Sequence, residues 1–138
     1  MQPDQIDLVQ NTFASVVPIK EKAAELFYER LFELDPSLRP LFTGDMHEQG
    51  QKLMSAMALV VGGLKHWERV EPTVRDLGVR HVDYGVKPEH YDTVGAALLW
   101  TLEQGLGDAF TADVKQAWTA AYQAIAATMI AAAKAKAA

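Results

Sequence analysis

The stretch LGVRHVDYGVKPEHYDTVG, residues 77–95, carries two of the four histidines of the chain. Leu77 lies one helical turn before His81, so that an apolar helix face ends in an imidazole. Gly85 and Pro88 then interrupt the helical pattern. The stretch is therefore either an ordinary corner between two helices, in which His81 is a core residue with a satisfied side chain, or the wall of a cofactor site.

Helical periodicity continues on both sides of this stretch. Apolar residues recur every three to four positions, and no segment alternates with period two over the length of a strand. The prolines at 18 and 72 are expected in the first turn of a helix, where a missing N–H costs little. The corner 35–45 contains two further prolines and allows one or two turns of helix at most. The predicted helices are 4–17, 18–34, 47–66, 72–83, 89–106 and one that is capped by Thr111 or Asp113 and runs past Met129.

The chain is thus predicted to be one all-α domain, residues 1–138, with six to seven helices in a non-bundle arrangement. Its 13 basic residues are scattered and its net charge is −5, which argues against a nucleic-acid partner. The absence of cysteine excludes a disulfide framework and suits a reducing compartment. The first residues do not form a signal peptide, and the long uncharged run after Lys115 is too polar for a membrane span. We therefore expect a cytoplasmic location.

Few residues could support chemistry. Motifs of the common hydrolases, nucleotide-binding proteins and metalloproteases are absent. The glutamates at 21, 25, 29 and 33 recur every four residues, which is typical of a solvated helix face. Three histidines occupy positions that favour surface roles: His47, His66 and His90. One histidine is nevertheless enough to hold haem iron, because the porphyrin supplies four further nitrogen ligands.

Four sequence blocks, in order, resemble the globin family, most closely the single-domain bacterial globins related to Vitreoscilla haemoglobin and the haem domain of flavohaemoglobins. The first block covers the second helix and its corner, and the second block matches the distal helix. The third contains the proximal histidine and the next helix, and the fourth begins the last helix. The blocks are LFYERLFELDPSLRPLF (26–42), QGQKLMSAMA (49–58), RHVDYGVKPEHYDTVGAALL (80–99) and AWTAAY (117–122).

The resemblance implies a 3-over-3 globin fold that encloses haem b, with His81 as the iron ligand. Its Nε2 would bind the metal, while Nδ1 would donate to the carbonyl of Leu77 and so fix the tautomer. Val86 is expected at the porphyrin edge, and Tyr91 matches the family tyrosine that approaches the proximal imidazole. Phe42 is the aromatic residue expected to stack on the ring.

On the opposite, distal side, the resemblance implies that Tyr28 and Gln49 donate hydrogen bonds to a diatomic ligand. Leu53, one turn after Gln49, matches the apolar residue above the iron. The alternatives are that Tyr28 is a core residue with a satisfied hydroxyl and Gln49 a boundary residue. His47 lies roughly 200° around the helix from Gln49 and is expected to face away.

The resemblance leaves several functions open. The first is reversible binding of O2, with CO and NO as further ligands, and the second is nitric oxide dioxygenase activity with a separate reductase. A sensor domain and a haemless interaction module are the remaining alternatives. The enzymatic members carry a glutamate on the last helix, where this chain has Ala133, and no acidic residue follows Asp113. Oxygen binding by a monomer or weak homodimer is therefore the leading hypothesis.

Overall fold

The computed structural model describes residues 1–137 and contains six α-helices, with a short 3₁₀ turn at each connection except that between the fourth and fifth helices. No strand occurs within that range, which confirms the all-α prediction. Within the same range no helix is long and apolar enough to cross a bilayer. The helices are α1 (Pro3–Val16), α2 (Lys20–Leu34), α3 (Met46–Gly62), α4 (Trp67–Asp83), α5 (His90–Leu106) and α6 (Ala112–Ala137). The 3₁₀ turns are Val17–Ile19, Pro36–Leu41, Leu64–His66 and Gly107–Ala109.

Side-chain caps fix the start of two helices. The Asp45 carboxylate accepts the His47 N–H at 2.8 Å and begins α3. The Thr111 hydroxyl oxygen accepts the Val114 N–H at 3.2 Å, so Thr111 rather than Asp113 caps α6. Because these caps satisfy N–H groups that have no partner within the helix, they set the helix start independently of the apolar pattern.

The fourth helix begins five residues earlier than the sequence predicts. Pro72 lies inside α4, which starts at Trp67. The turn before the proline is held because Val70 is buried and Trp67 packs against the same core. Proline removes only one N–H from the helix, and burial of this turn offsets that loss. Pro18 likewise lies in a 3₁₀ turn ahead of α2.

The helices pack around α6 on one side and α5 on the other. Both α1 and α4 lie along α6, and α2 packs against α5 and α3. By contrast, α3 and α4 touch each other at few points. The largest side chains that are almost completely inaccessible to solvent are those of Val9, Leu31 and Val74. Each contributes roughly 1.5–3 kcal/mol through burial of its apolar surface.

Small residues let α2 and α3 cross at close range. A Cβ atom added to Gly50 would lie 2.9 Å from the Cβ of Ala24. The backbone of α3 therefore approaches α2 more closely than any larger residue at position 50 would permit. This crossing places the first two turns of α3 beside the middle of α2.

Candidate cofactor site

His81 lies in the last turn of α4, with its Nδ1 2.5 Å from the carbonyl oxygen of Leu77. A carbonyl can only accept, so Nδ1 carries the proton and Nε2 keeps its lone pair. Burial lowers the pKa of the imidazole, and the hydrogen bond to Leu77 opposes this shift in part. The predicted hydrogen bond is therefore present. Burial favours the neutral imidazole, and the hydrogen bond holds its proton on Nδ1, so that Nε2 is available to a metal.

A hydrogen-bonded turn after α4 holds Val86 next to His81. The Val86 N–H donates to the carbonyl of His81 at 3.0 Å, and the Gly85 N–H donates to the carbonyl of Val82 at 3.0 Å. Gly85 has a φ of +86°, a conformation that glycine adopts without strain. These features form a Schellman motif, which ends the helix where the sequence predicted a turn.

Aromatic rings surround the imidazole. The ring centroid of Tyr84 lies 5.5 Å from that of His81, and the Tyr91 centroid lies 6.4 Å away. Burial raises the pKa of the Tyr91 hydroxyl. The Tyr122 hydroxyl donates to the backbone carbonyl of Tyr91 at 2.5 Å and so fixes the first turn of α5. Tyr84 and Tyr122 are not among the predicted site residues, although Tyr84 follows His81 by three residues, a spacing that places both on one helix face.

A second aromatic group surrounds Tyr28 on α2. Its ring centroid lies 5.1 Å from Phe27, 5.3 Å from Phe42 and 6.1 Å from Phe32. Burial raises the pKa of the Tyr28 hydroxyl to about 12, so the group remains protonated and able to donate. Its only close acceptor within residues 1–137 is the backbone carbonyl of Gln49, at a long 3.4 Å. Phe32 is not among the predicted site residues, although it follows Tyr28 by one helical turn.

The structure brings Tyr28, Gln49, Phe42 and Leu53 together. The group of Gln49 that meets the Tyr28 hydroxyl is its backbone carbonyl, however, and not its side-chain amide. The Gln49 amide nitrogen lies 3.5 Å from the carbonyl of Thr43, at the limit of a hydrogen bond. Leu53 packs in the same apolar cluster as Phe42 and Tyr28. Gln49 is half-buried, and its side-chain amide is held only weakly, by Thr43 and not by the Tyr28 hydroxyl.

The predicted site residues fall into two separate apolar clusters. Tyr28, Phe42 and Leu53 pack in one, and Val86 and Tyr91 pack in the other. Gln49 and Leu53 lie on α3 and His81 lies on α4, and these two helices touch only sparsely. The predicted residues on the two sides of the site therefore belong to two separate clusters and not to one continuous core.

The other three histidines stand apart from both clusters. His47 and His66 are exposed, and His90 accepts the Lys87 N–H through Nδ1 at 3.0 Å. Residues 1–137 contain no group of three or more histidine, cysteine or carboxylate side chains that could hold a metal ion. A lone imidazole among apolar and aromatic residues fits a metal that brings its own ring of donors, as haem does.

The globin family model matches residues 25–129, which include both apolar clusters and His81. The chain belongs to the globin family. The globin is 32% identical over 119 residues to a flavohemoprotein of Vibrio cholerae and 31% identical over 137 residues to a neuroglobin of Tetraodon nigroviridis. These alignments cover 81% and 89% of this chain, and 30% and 86% of the respective relatives. The chain therefore spans less than a third of the flavohemoprotein but most of the neuroglobin.

The same fold occurs in a solved structure of a bacterial globin from Campylobacter jejuni. It superposes on this globin with a TM-score of 0.84, at 28% identity, over 96% of each chain. The predicted globin fold is therefore confirmed. Membership of this family implies haem binding and small gaseous ligands such as O2.

Proposed function

We propose that this globin binds haem b through Nε2 of His81 and binds O2 reversibly, as a carrier or store, with CO and NO as further ligands. The observation that carries the proposal is the state of the imidazole. Its Nδ1 is bound to the neutral carbonyl of Leu77, and its Nε2 has no hydrogen-bond partner within residues 1–137. Haem would supply the iron at which the gas binds.

In this proposal the apolar side chains hold the porphyrin and exclude water. Val86 would contact the ring edge, since its backbone is tied to His81. Phe42 and Leu53 would cover the opposite face, and Tyr91 would pack beside the imidazole. The Arg39 guanidinium donates to the Phe42 carbonyl at 2.9 Å and so fixes the backbone of that residue.

Tyr28 and Gln49 would donate hydrogen bonds to the gas. The Tyr28 hydroxyl is protonated and has only a weak internal acceptor, so it can turn toward a ligand at little cost. A hydrogen bond in an apolar pocket favours a ligand that takes up negative charge, as O2 does, over CO. These two side chains would therefore determine the discrimination between gases.

The proximal side favours a carrier over an enzyme. A carboxylate bonded to Nδ1 would increase the electron density on the imidazole, whereas a carbonyl does so less. Ala133 stands where the resemblance places the glutamate of the enzymatic members, and no acidic residue follows Asp113. The acidic residue nearest to His81 along the chain is Asp83, and its carboxylate forms an ion pair with the Lys136 ammonium at 2.9 Å.

Nitric oxide dioxygenase activity is the second proposal. It is favoured by the similarity to flavohemoproteins and by the position of Tyr91 beside His81. The electron donor would be a separate reductase. We also propose that residues 1–138 form one globin domain that works in the cytoplasm as a monomer or weak homodimer, a location supported by the absence of cysteine.

The test is an absorption spectrum of the purified protein, recorded after reduction and then with O2 and with CO. A spectral change with each gas that reverses when the gas is removed is expected. Rapid oxidation of the reduced protein by O2, together with many cycles of NO consumption when reductase is added, would instead favour the dioxygenase. A protein that neither retains nor takes up haem contradicts both proposals.

A further inference from the structure

A groove of about 810 Å³ lies between α2 and α3, outside the site around His81. Its rim consists of exposed side chains from both helices, among them Glu21, Glu25 and Glu29. These are three of the four glutamates whose spacing predicted a solvated helix face, and their exposure confirms that prediction. The groove is therefore open to solvent at its rim.

The floor of the groove is apolar. Four of the lining residues are buried, namely Phe13, Ala24, Gly50 and Met54, and none has a side chain that forms strong hydrogen bonds. Water in such a place would lack the two to four polar partners that an ordered molecule needs. The floor therefore suits a small apolar molecule better than water or an ion.

Tyr28 lies at the boundary between the groove and the proposed ligand site. Its side chain lines the groove, yet its ring also contacts Phe42 and packs in the cluster that contains Leu53. Phe32 also lines the groove and packs in the cluster that contains Leu53. One layer of aromatic side chains therefore separates the groove from the residues that would surround a haem ligand.

We propose that the groove between α2 and α3 takes up O2 and other apolar diatomic gases and conducts them past Tyr28 to the ligand site. The route rests on the proposed function, since it leads to the gas-binding face. Movement of the Tyr28 and Phe32 rings would open it. A charged or polar ligand would find partners at the rim only.

The first test measures rates of CO binding and release in the purified protein. Ser55→Trp places a large side chain in the groove from an exposed position on α3, and Ala58→Trp does so one turn further along. The control is Leu59→Trp, at an exposed residue of α3 that does not line the groove. Circular dichroism confirms that each variant remains folded.

A blocked route slows entry and exit by the same factor, because both follow one path. We expect Ser55→Trp and Ala58→Trp to lower both rate constants and to leave their ratio, the equilibrium dissociation constant, as in the wild type. The control should change neither rate. Unchanged rates in both groove variants would overturn the proposal, and so would a change in only one of the two rate constants, which alters the equilibrium dissociation constant.

The second test needs no bound haem. Dissolved O2 is paramagnetic and speeds the relaxation of nearby methyl groups, which NMR detects in protein labelled at methionine. Met54 lines the groove and Met129 does not, and the two are equally buried, at 8% and 7% exposure. We expect O2 to enhance relaxation more at Met54 than at Met129.

Equal enhancement at the two methyl groups would overturn the groove proposal, whether or not haem is bound. Tight binding of a fatty acid to the groove, with no excess relaxation by O2 at Met54 in the free protein, would also overturn it. A protein without haem that still shows excess relaxation at Met54 would contradict the proposed function while supporting uptake of gas by the groove.

Discussion

Gly78 of α4 lies directly against the backbone of Met129 on α6. A Cβ atom added to Gly78 would lie 2.6 Å from the Cα of Met129, a distance that backbone atoms cannot accommodate without moving. The two helices can therefore pack only while residue 78 has no side chain. His81 follows Gly78 by one helical turn, so this contact also determines the position of the imidazole.

Gly78→Ala should lower the free energy of unfolding by about 2 kcal/mol or more, since it forces two backbones apart. The matched control is Gly62→Ala in α3, where an added Cβ meets nothing within 4 Å. That change should be neutral or should stabilise by about 0.5–1 kcal/mol through lower backbone entropy in the unfolded state. Urea denaturation measures both. Equal effects would mean that the α4–α6 contact is not as close as described.

His81→Ala should yield protein with far less haem than the wild type, because it removes the single bond between protein and iron in our proposal. The ratio of haem absorbance to protein absorbance measures the loss, and added imidazole should restore part of the spectrum. His66→Ala, at an exposed residue, is the control and should retain haem. If His81→Ala keeps its haem with an unchanged reduced spectrum, another residue is the ligand.

Tyr28→Phe should speed O2 release by about ten- to a hundredfold, which corresponds to the loss of a hydrogen bond worth roughly 1.5–3 kcal/mol. CO release should change much less. The control is Tyr122→Phe, which removes another largely buried hydroxyl, one that donates to the Tyr91 carbonyl. Stopped-flow measurements give both rates. Unchanged release of both gases from Tyr28→Phe would show that its hydroxyl does not reach the ligand.

The raised pKa of Tyr28 also predicts how stability depends on pH. Between pH 10.0 and about 12 the unfolded chain loses this proton and the native protein keeps it. The native state then binds more protons than the unfolded state, so stability falls as pH rises, by at most about 1.4 kcal/mol per pH unit from this group. Tyr28→Phe should therefore lose stability less steeply than the wild type above pH 10.0. Parallel curves would contradict the burial of the hydroxyl.

Ala133→Glu should lower the midpoint potential of the iron by placing a carboxylate near the proximal side. Ala133 is half-buried on α6, one turn before Lys136, whose ammonium reaches Asp83 at the end of α4. Ala131→Glu, at an exposed position of the same helix, is the control. Spectroelectrochemical titration measures the potentials. If both variants shift alike, added charge rather than the position of the carboxylate is the cause.

Much of the helix pattern could be predicted because it depends on local chemistry. The start of α5 and the turn around Gly85 follow from residues whose backbone preferences are strong. The hydrogen bond from His81 to Leu77 also lies within one helical turn, so spacing alone indicates it. Local sequence was misleading at Pro72, where burial of Val70 and Trp67 outweighs the preference of proline for a helix start.

Contacts between distant segments could not be predicted in the same way. The groove depends on the crossing of Ala24 and Gly50, which no periodicity indicates. The hydrogen bond from Tyr122 to the Tyr91 carbonyl joins residues 31 positions apart. The direction of the Gln49 amide toward Thr43 depends on the corner before α3, a conformation that several turn types would allow.

The unequal attachment of α4 has a consequence for how a cofactor enters. Because α4 packs along α6 and touches α3 at few points, we expect α3 and α4 to separate more easily than α4 and α6. A thermal fluctuation that separates α3 from α4 opens the interior while the interface between α4 and α6 stays intact. We therefore expect a large planar molecule to enter the folded protein through such a local opening, without global unfolding of the chain.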